Sequence, residues 1–310
     1  MIDELMPTII AGTDAGVRVL GADERAELES RSIGALARDG DTILALADGH
    51  EVLRREGHAW TTVATLPGGN GRCILATPGG ILVGTEEAHL DRVANGSSAR
   101  VDSFEAIAGR ERWFTPWGGP PATRSMSAAP DGALYVNVHV GGIAKSTDAG
   151  RSWEPTIEIE VDAHEVRAHA HRPGLVLAAT AHGLATSRDS ARSWELEAEG
   201  LRATYSRAVA LAGDTVLLSA SDGPRGGHAA VYRRPLDGAV AFERCSTGLP
   251  EWFDDNIDSG CLDAAGDTAA FGTAAGSIHA SADAGETWER LADGLPPIRW
   301  LLIADPRDQR

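Results

Sequence analysis

Positive charge is scarce in this sequence: 28 Lys and Arg residues stand against 45 Asp and Glu residues, which gives a formal net charge of −17. A field of that sign repels nucleic acid and anionic lipid. We therefore expect neither a nucleic-acid partner nor a membrane partner.

Cysteine and long apolar runs are also scarce. Cys73, Cys245 and Cys261 are odd in number and lack C-x-x-C spacing, which argues against a disulfide framework and against a zinc ribbon. The first ten residues lack the basic and apolar regions of a signal peptide, and no later run is long enough to span a bilayer. These absences favour a cytoplasmic protein whose cysteines are reduced core residues.

Helical periodicity and the common catalytic motifs are missing as well. The chain consists of short β segments broken by Gly, Asp and Pro turns. It contains no G-x-S-x-G, Walker loop, Rossmann fingerprint or H-E-x-x-H. The sequence therefore predicts an all-β fold, and its chemistry has to be sought in the arrangement of single residues.

One eight-residue motif recurs along the chain. STDAGRSW at residues 146–153 and SADAGETW at 281–288 are complete, and SRDSARSW at 187–194 has Ala191 in place of glycine. Its Asp can accept hydrogen bonds from the turn amides, its Gly can take a positive φ, and its Trp begins a returning strand. Repeats at one or two blade lengths are typical of a radial array of small sheets.

The two ends of the chain predict how this array closes. The hairpin from Thr8 to Leu20 has no preceding partner, and the segment from Arg299 is a lone strand. Pairing the two would complete one blade and cover exposed sheet edges. The prediction is a single domain over residues 1–310, a seven-bladed β-propeller of four-stranded blades. The inner strands are expected to begin near Arg31, Arg72, Arg124, Glu165, Arg207, Asp258 and Arg299.

The repeated motif resembles the Asp-box, or bacterial neuraminidase repeat, of sialidase-like and WD40-YVTN-like propellers. That superfamily includes sialidases, other glycoside hydrolases, photosystem assembly factors and sorting receptors, so the resemblance implies a fold rather than one reaction. It also implies that the boxes lie on the face away from an active site. The sialidase subgroup has an Arg-Ile-Pro motif and six blades, whereas this chain has no Arg-Ile-Pro and a predicted seven.

The predicted strand starts suggest a binding pocket. All seven positions are charged, and strand starts converge on the mouth of a propeller channel. Five arginines there would form a cationic pocket for a small anionic ligand, with Arg124 and Arg207 flanking an ionised Glu165. The alternative is that each arginine pairs with an acidic neighbour, and a one-residue slip would reverse a side chain's direction. Trp117 and Trp252 either form an aromatic rim over the pocket or cap the blade ends.

Several residues near these strand starts are candidates for catalysis. Glu165, Asp258, Tyr205 and His164 are the expected proton-transfer groups. No motif specifies a cofactor, but His139, His164 and His182 fall on neighbouring blades and form a candidate site for zinc or a similar divalent ion. The alternative is that these histidines are solvated turn residues and that Tyr205 serves packing.

Three function classes remain open at this point. The first is an enzyme, a hydrolase or lyase acting on an anionic or glycosidic substrate in the channel. The second is a propeller that binds a glycan or a protein without chemistry. The third is an assembly factor, which would need an apolar or basic patch on the outer rim.

Overall fold

Seven four-stranded antiparallel sheets, arranged as the blades of a propeller, account for nearly all the regular structure. The computed structural model describes residues 8–238 and 240–304. The first strands of successive blades pack against one another in a ring, which defines the central channel. The predicted seven-bladed β-propeller is confirmed.

Each blade is numbered from the one that contains both ends of the described chain, and its strands are given from the channel outwards. Blade 1 contains Ile298–Ala304, Thr8–Thr13, Gly16–Leu20 and Arg25–Glu27; blade 2 contains Ile33–Asp39, Thr42–Ala47, Glu51–Glu56 and Ala59–Thr65; blade 3 contains Gly71–Thr77, Gly80–Thr85, Leu90–Ala94 and Ser97–Arg100; blade 4 contains Thr123–Ala128, Leu134–Val138, Gly142–Ser146 and Glu154–Pro155. Blade 5 contains Ala163–Ala168, Val176–Thr180, Gly183–Ser187 and Glu195–Glu197; blade 6 contains Val209–Ala212, Thr215–Ala220, Ala230–Pro235 and Glu243–Arg244; blade 7 contains Leu262–Ala265, Thr268–Gly272, Ile278–Ser281 and Glu289–Ala292.

In the part of the chain that the structure describes, helical structure is confined to short turns. One α-helical turn, Asp102–Glu105, lies in the long connection between blades 3 and 4, and 3-10 turns occur at Arg110–Arg112 and Ile159–Val161. Phe104 anchors the α-helical turn by packing between Trp113 and Trp153. Across residues 8–238 and 240–304, no helix has the length and apolarity needed to cross a bilayer.

Blade 1 closes the ring by the predicted pairing of the two chain ends. Strand Thr8–Thr13 pairs with Gly16–Leu20 on one edge and with Ile298–Ala304 on the other. Leu301 and Ile303 of the last strand are buried, and burial of each such side chain is worth about 1.5–3 kcal/mol. Closure therefore covers an edge and also contributes substantially to the core.

The core lies between neighbouring blades. Between blades 5 and 6, for example, Leu177 and Leu184 share one apolar cluster with Val209 and Leu218. Both faces of each blade are covered in this way, so strands such as Val176–Thr180 are buried along their whole length instead of alternating. The three cysteines are buried and free, as the sequence predicted.

The repeated Asp residues serve the turns in which they lie. Asp148 accepts hydrogen bonds from the backbone N–H of Ser152 at 2.9 Å and from its hydroxyl at 2.7 Å, and Ser146 Oγ accepts one from Gly150 N–H at 2.8 Å. The bonds from Ser152 lower the pKa of Asp148 to about 2. Asp189 and Asp283 make the same bonds, and Ala191 adopts a φ of 64° at the position of the missing glycine.

Candidate functional site

A β-bulge near the start of the inner strands builds the mouth of the channel. The register shifts in blades 1 to 5 leave one inner-strand residue of each blade without a partner. A bulge bends the strand and re-aims the side chain of the extra residue. The extra residues are Arg299, Gly34, Arg72, Arg124 and His164. The bulge residues of blades 1 to 4 line the mouth of the channel, whereas His164 of blade 5 is buried.

A cavity of about 490 Å³ opens at this mouth. Its charged lining consists of Asp14, Arg72, Arg124, Arg207, Asp258 and Arg299. We call this space the mouth cavity. Strands alternate in direction within a blade, so the starts of the inner strands and the Asp-containing hairpins lie on opposite faces. The volume is within the range of small-molecule sites.

Most arginines of the predicted set are paired with carboxylates. Arg299 contacts Asp14 at 2.6 Å, Arg207 contacts Asp258 at 2.9 Å, and Arg72 contacts Glu86. Three of the predicted arginines are therefore in the mouth cavity but neutralised.

Arg31 is not among the residues that line the mouth cavity, and the prediction that it faces the mouth is wrong. It pairs with Asp48 and Glu51 within blade 2. The bulge residue of that blade is Gly34, three residues further along.

Arg124 is the exception among the cavity arginines. Within the described chain it has neither a hydrogen bond nor an ion pair, although it is largely enclosed. Burial, and then the positive charge of Arg207, lower the pKa of its guanidinium. Arg207 adds a buried Nε that has no hydrogen-bond partner among the described residues. Arg124 thus offers free donors to the cavity, whereas the unpartnered N–H of Arg207 is buried and its other nitrogens are already bonded.

Glu165 does not lie between these two arginines, so the predicted placement is wrong. His164 is the bulge residue, and the resulting one-residue shift turns Glu165 towards the channel interior. There Glu165 pairs with Arg167 at 2.9 Å and accepts the backbone N–H groups of Val209 and Gly260. Burial raises the pKa of Glu165 to about 7 against the opposing charge of Arg167.

Glu165 belongs to an ionic cluster that crosses the channel. Arg167 of blade 5 contacts Asp263 of blade 7 at 3.3 Å, and Arg38 of blade 2 contacts the same carboxylate at 3.0 Å. Contacts between blades that are not neighbours can be made only across the central channel. We call Arg38, Glu165, Arg167 and Asp263 the channel network. Sequence reasoning missed Arg38, Arg167 and Asp263, because nothing local distinguishes them from other charged strand residues.

A row of rings runs beside the mouth cavity. Trp117, 65% exposed, lies over His139 with ring centroids 5.2 Å apart, and His139 is followed by His164 at 5.7 Å. Tyr205 lies 4.7 Å from His164, and its hydroxyl is 3.4 Å from an Arg207 nitrogen. Predicted residues from blades 4, 5 and 6 are therefore brought together with Arg207.

Two predicted residues lie apart from this row. Trp252 is held between Arg202 and Arg244 at the edge of blade 6, with its ring 5.3 and 4.9 Å from the two guanidiniums. It packs on the core of that blade and is not among the residues that line the mouth cavity, so it caps a blade end. His182 is exposed in a turn and does not join the other two histidines, which corrects that part of the predicted metal set.

Asp162, and not the predicted His182, is the third residue that lies with His139 and His164 in the candidate metal site. One ligand atom each from His139, Asp162 and His164 lie within 4.8 Å of one another. Asp162 follows the 3-10 turn Ile159–Val161 and has a φ of 50°, a left-handed conformation that Asp tolerates better than most residues. Burial, and then the charge of Arg124, lower the pKa of His139. The sequence offered only the proximity of Asp162 to His164 as a signal.

Comparisons with known proteins show the fold alone. No family model and no curated protein matches the chain. Among solved structures, an ancestral GH74 enzyme has a TM-score of 0.64 at 14% identity and covers 92% of this chain, which spans 40% of that enzyme. The RRP9 WD40 repeats have a TM-score of 0.60 at 14% identity, over 94% of this chain and 86% of theirs.

A designed protein shares the architecture too. The computationally designed Ika8 protein has a TM-score of 0.52 at 11% identity, over 92% of this chain and 80% of its own. The chain is therefore a β-propeller, and its neighbours include both an enzyme and WD40 repeats. Function has to be argued from the mouth cavity itself.

Proposed function

We propose that this propeller binds a small anionic ligand in the mouth cavity, with Arg124 and Arg207 as the binding cations. The observation that carries the proposal is the enclosed guanidinium of Arg124, which has no carboxylate partner within the described residues. Removing an unpaired charge from water raises the free energy of the folded protein, and a bound anion offsets this increase by pairing with the charge.

The chemistry of the donors narrows the ligand class. Guanidinium presents a planar fork of N–H groups that matches carboxylate, sulfate and phosphate oxygens. Arg207 already holds Asp258 at 2.9 Å, and that carboxylate is half exposed at the cavity. The ligand would therefore add its charge beside Arg124, and Arg207 would keep Asp258 in place or exchange it for the ligand.

Direct binding measurements test this proposal. The probes are sulfate, phosphate, citrate and a uronic acid, added singly to the full chain at low ionic strength and followed by calorimetry and thermal melting. At least one should bind, and Arg124→Gln should weaken that binding by about 10–100-fold, the loss of one charge-assisted contact worth about 1.5–3 kcal/mol.

Arg31→Gln is the matched control, because Arg31 is an arginine of the same predicted set that is absent from the cavity lining. It should leave binding unchanged. The proposal fails if none of the four anions binds, or if Arg124→Gln binds as well as the unchanged protein.

Catalysis, as a hydrolase or lyase acting on an anionic or glycosidic compound, is the second candidate. It is favoured by Asp258 in the cavity lining and by the Tyr205 hydroxyl next to Arg207, since a carboxylate and a phenol beside an anion site can transfer protons. Turnover of a nitrophenyl uronide that is lost in Asp258→Asn and Tyr205→Phe, with ligand binding retained, would support it. Binding without turnover would leave a binding module.

A further inference from the structure

Two histidines and one carboxylate, His139, His164 and Asp162, lie together, and the described part of the chain leaves two of their buried polar atoms without a hydrogen-bond partner. His164 is fully buried, and its Nδ1 lies 2.7 Å from the backbone carbonyl oxygen of Ser206. A carbonyl oxygen only accepts hydrogen bonds, so Nδ1 carries the proton and donates it. In the neutral ring, Nε2 then presents a lone pair.

That lone pair points at other acceptors. His164 Nε2 is buried, has no hydrogen-bond partner among the described residues, and lies 3.5 Å from Asp162 Oδ2. Asp162 Oδ1 is also buried and unsatisfied, and it lies 3.5 Å from His139 Nε2. Acceptor atoms that converge in a buried place require a cation between them, either a proton or a metal ion.

The distances fit a metal ion. Zinc bonds of about 2.0–2.2 Å in tetrahedral geometry separate neighbouring ligand atoms by roughly 3.3–3.6 Å. Asp162 Oδ2 lies 3.5 Å from His164 Nε2 and Asp162 Oδ1 lies 3.5 Å from His139 Nε2, so the carboxylate bridges the two imidazoles. One ligand atom from each residue lies within 4.8 Å of the others, and binding of one zinc ion would draw these atoms closer together. A backbone carbonyl that holds the far nitrogen of a ligand histidine, as Ser206 does for His164, is the usual arrangement around bound metals.

The fold holds the three groups in fixed positions. His164 is the bulge residue of blade 5, Asp162 precedes the same strand, and His139 follows strand Leu134–Val138 of blade 4 with its N–H bonded to Ala122. His139 and His164 are almost completely buried. Asp162 is partly exposed, at 27% of its side chain, and gives access from solvent.

We propose that His139, Asp162 and His164 form a binding site for a divalent transition-metal ion, with zinc as the best-fitting ion. Two imidazoles and one carboxylate suit zinc, and three protein ligands leave a fourth position open to water or a ligand. None of its ligands is an arginine, although the charge of Arg124 reaches both His139 and Asp162.

Metal binding to the full chain, purified without a histidine tag and treated with a chelator, tests this site. The probes are Zn²⁺ by calorimetry and Co²⁺ by visible absorption, without any added anionic ligand. The unchanged protein should bind one equivalent of Zn²⁺, give a Co²⁺ spectrum of a four-coordinate site, and melt at a higher temperature when Zn²⁺ is present.

Two variants remove single ligands. Asp162→Asn and His139→Gln should each weaken Zn²⁺ binding by at least about 100-fold and abolish the Co²⁺ spectrum. His182→Gln is the matched control, because it removes an exposed histidine outside the cluster, and it should bind Zn²⁺ as the unchanged protein does.

The partly exposed Asp162 makes Asp162→Asn the decisive variant if His139→Gln does not fold. Less than stoichiometric Zn²⁺ in the unchanged protein would overturn the proposal. Equal Zn²⁺ affinity in the unchanged protein and in a folded Asp162→Asn would overturn it as well.

Discussion

The mouth cavity and the channel network are both rich in arginine and are built on the same ring of inner strands, yet they differ in whether the arginines are paired with carboxylates. In the channel network, Arg167 meets two carboxylates and Arg38 meets Asp263 and a backbone carbonyl. In the mouth cavity, Arg124 pairs with no carboxylate of residues 8–238 and 240–304. Paired cations hold blades together, whereas an unpaired cation is available to a ligand.

The bulge separates these two regions along each strand. In blade 5, the bulge residue His164 is fully buried and contacts Ser206 of the next blade junction, while Glu165 and Arg167, one and three residues later, pair with each other in the channel. Side chains alternate with a period of two along a regular strand. Without the extra residue, the side chains on one side of the bulge would therefore face the opposite side of the sheet. A local backbone irregularity thus allows one strand to serve both structure and binding.

The same change from Asp to Asn in the two regions should have very different effects on stability. Asp263→Asn should lower the free energy of unfolding by about 3–5 kcal/mol, because two arginines would lose a carboxylate that is only 3% exposed. Asp258→Asn, at a carboxylate 52% exposed in the mouth cavity, should cost less than about 1 kcal/mol. Urea unfolding of both variants gives the comparison, and equal costs would contradict it.

The pH dependence of stability should carry the signature of Glu165. Its pKa is about 7 in the folded protein and near 4.5 when unfolded, so the folded state holds the proton more tightly. Its contribution to stability is therefore fully present below pH 4.5 and is lost as the pH rises through 7, for a total of about 3 kcal/mol.

Glu165→Gln removes this titration and provides the measurement. The stability of Glu165→Gln relative to the unchanged protein should rise between pH 4.5 and 7.5, whatever its offset at low pH. Unfolding free energies of the two proteins across that range decide it, and a difference that stays constant with pH would show that burial does not govern this carboxyl.

Removing the unpaired cation should have the smallest effect on the free energy of unfolding, and it should stabilise the fold where the other substitutions destabilise it. Without ligand, Arg124→Gln should leave the free energy of unfolding unchanged or raise it by up to about 1 kcal/mol, because the desolvated charge is relieved. Arg167→Gln should lower it, since Glu165 and Asp263 would lose their shared partner. Calorimetric melting compares the two variants, and a marked loss of stability in Arg124→Gln would mean that its charge serves the fold.

The sequence by itself determined the propeller, its blade number and its closure. The Asp-containing turns recur at intervals of blade length. The lone strand around Leu301 pairs with the hairpin that starts at Thr8, which was the other strand pair without a neighbour in the sequence. These features are local or periodic, so they could be read from residue order. The same is true of the position of Arg124 and Arg207, which line the mouth cavity.

Tertiary structure alone decided which charges meet. The bulge moved Glu165 into the channel, and packing across non-neighbouring blades brought Asp263 to Arg38 and Arg167. Asp162, which itself has a left-handed φ of 50°, lies beside His139 of blade 4 and His164 of blade 5. Residue order does not contain these distances, because side-chain direction changes with a one-residue shift and contacts across the channel depend on the closed ring.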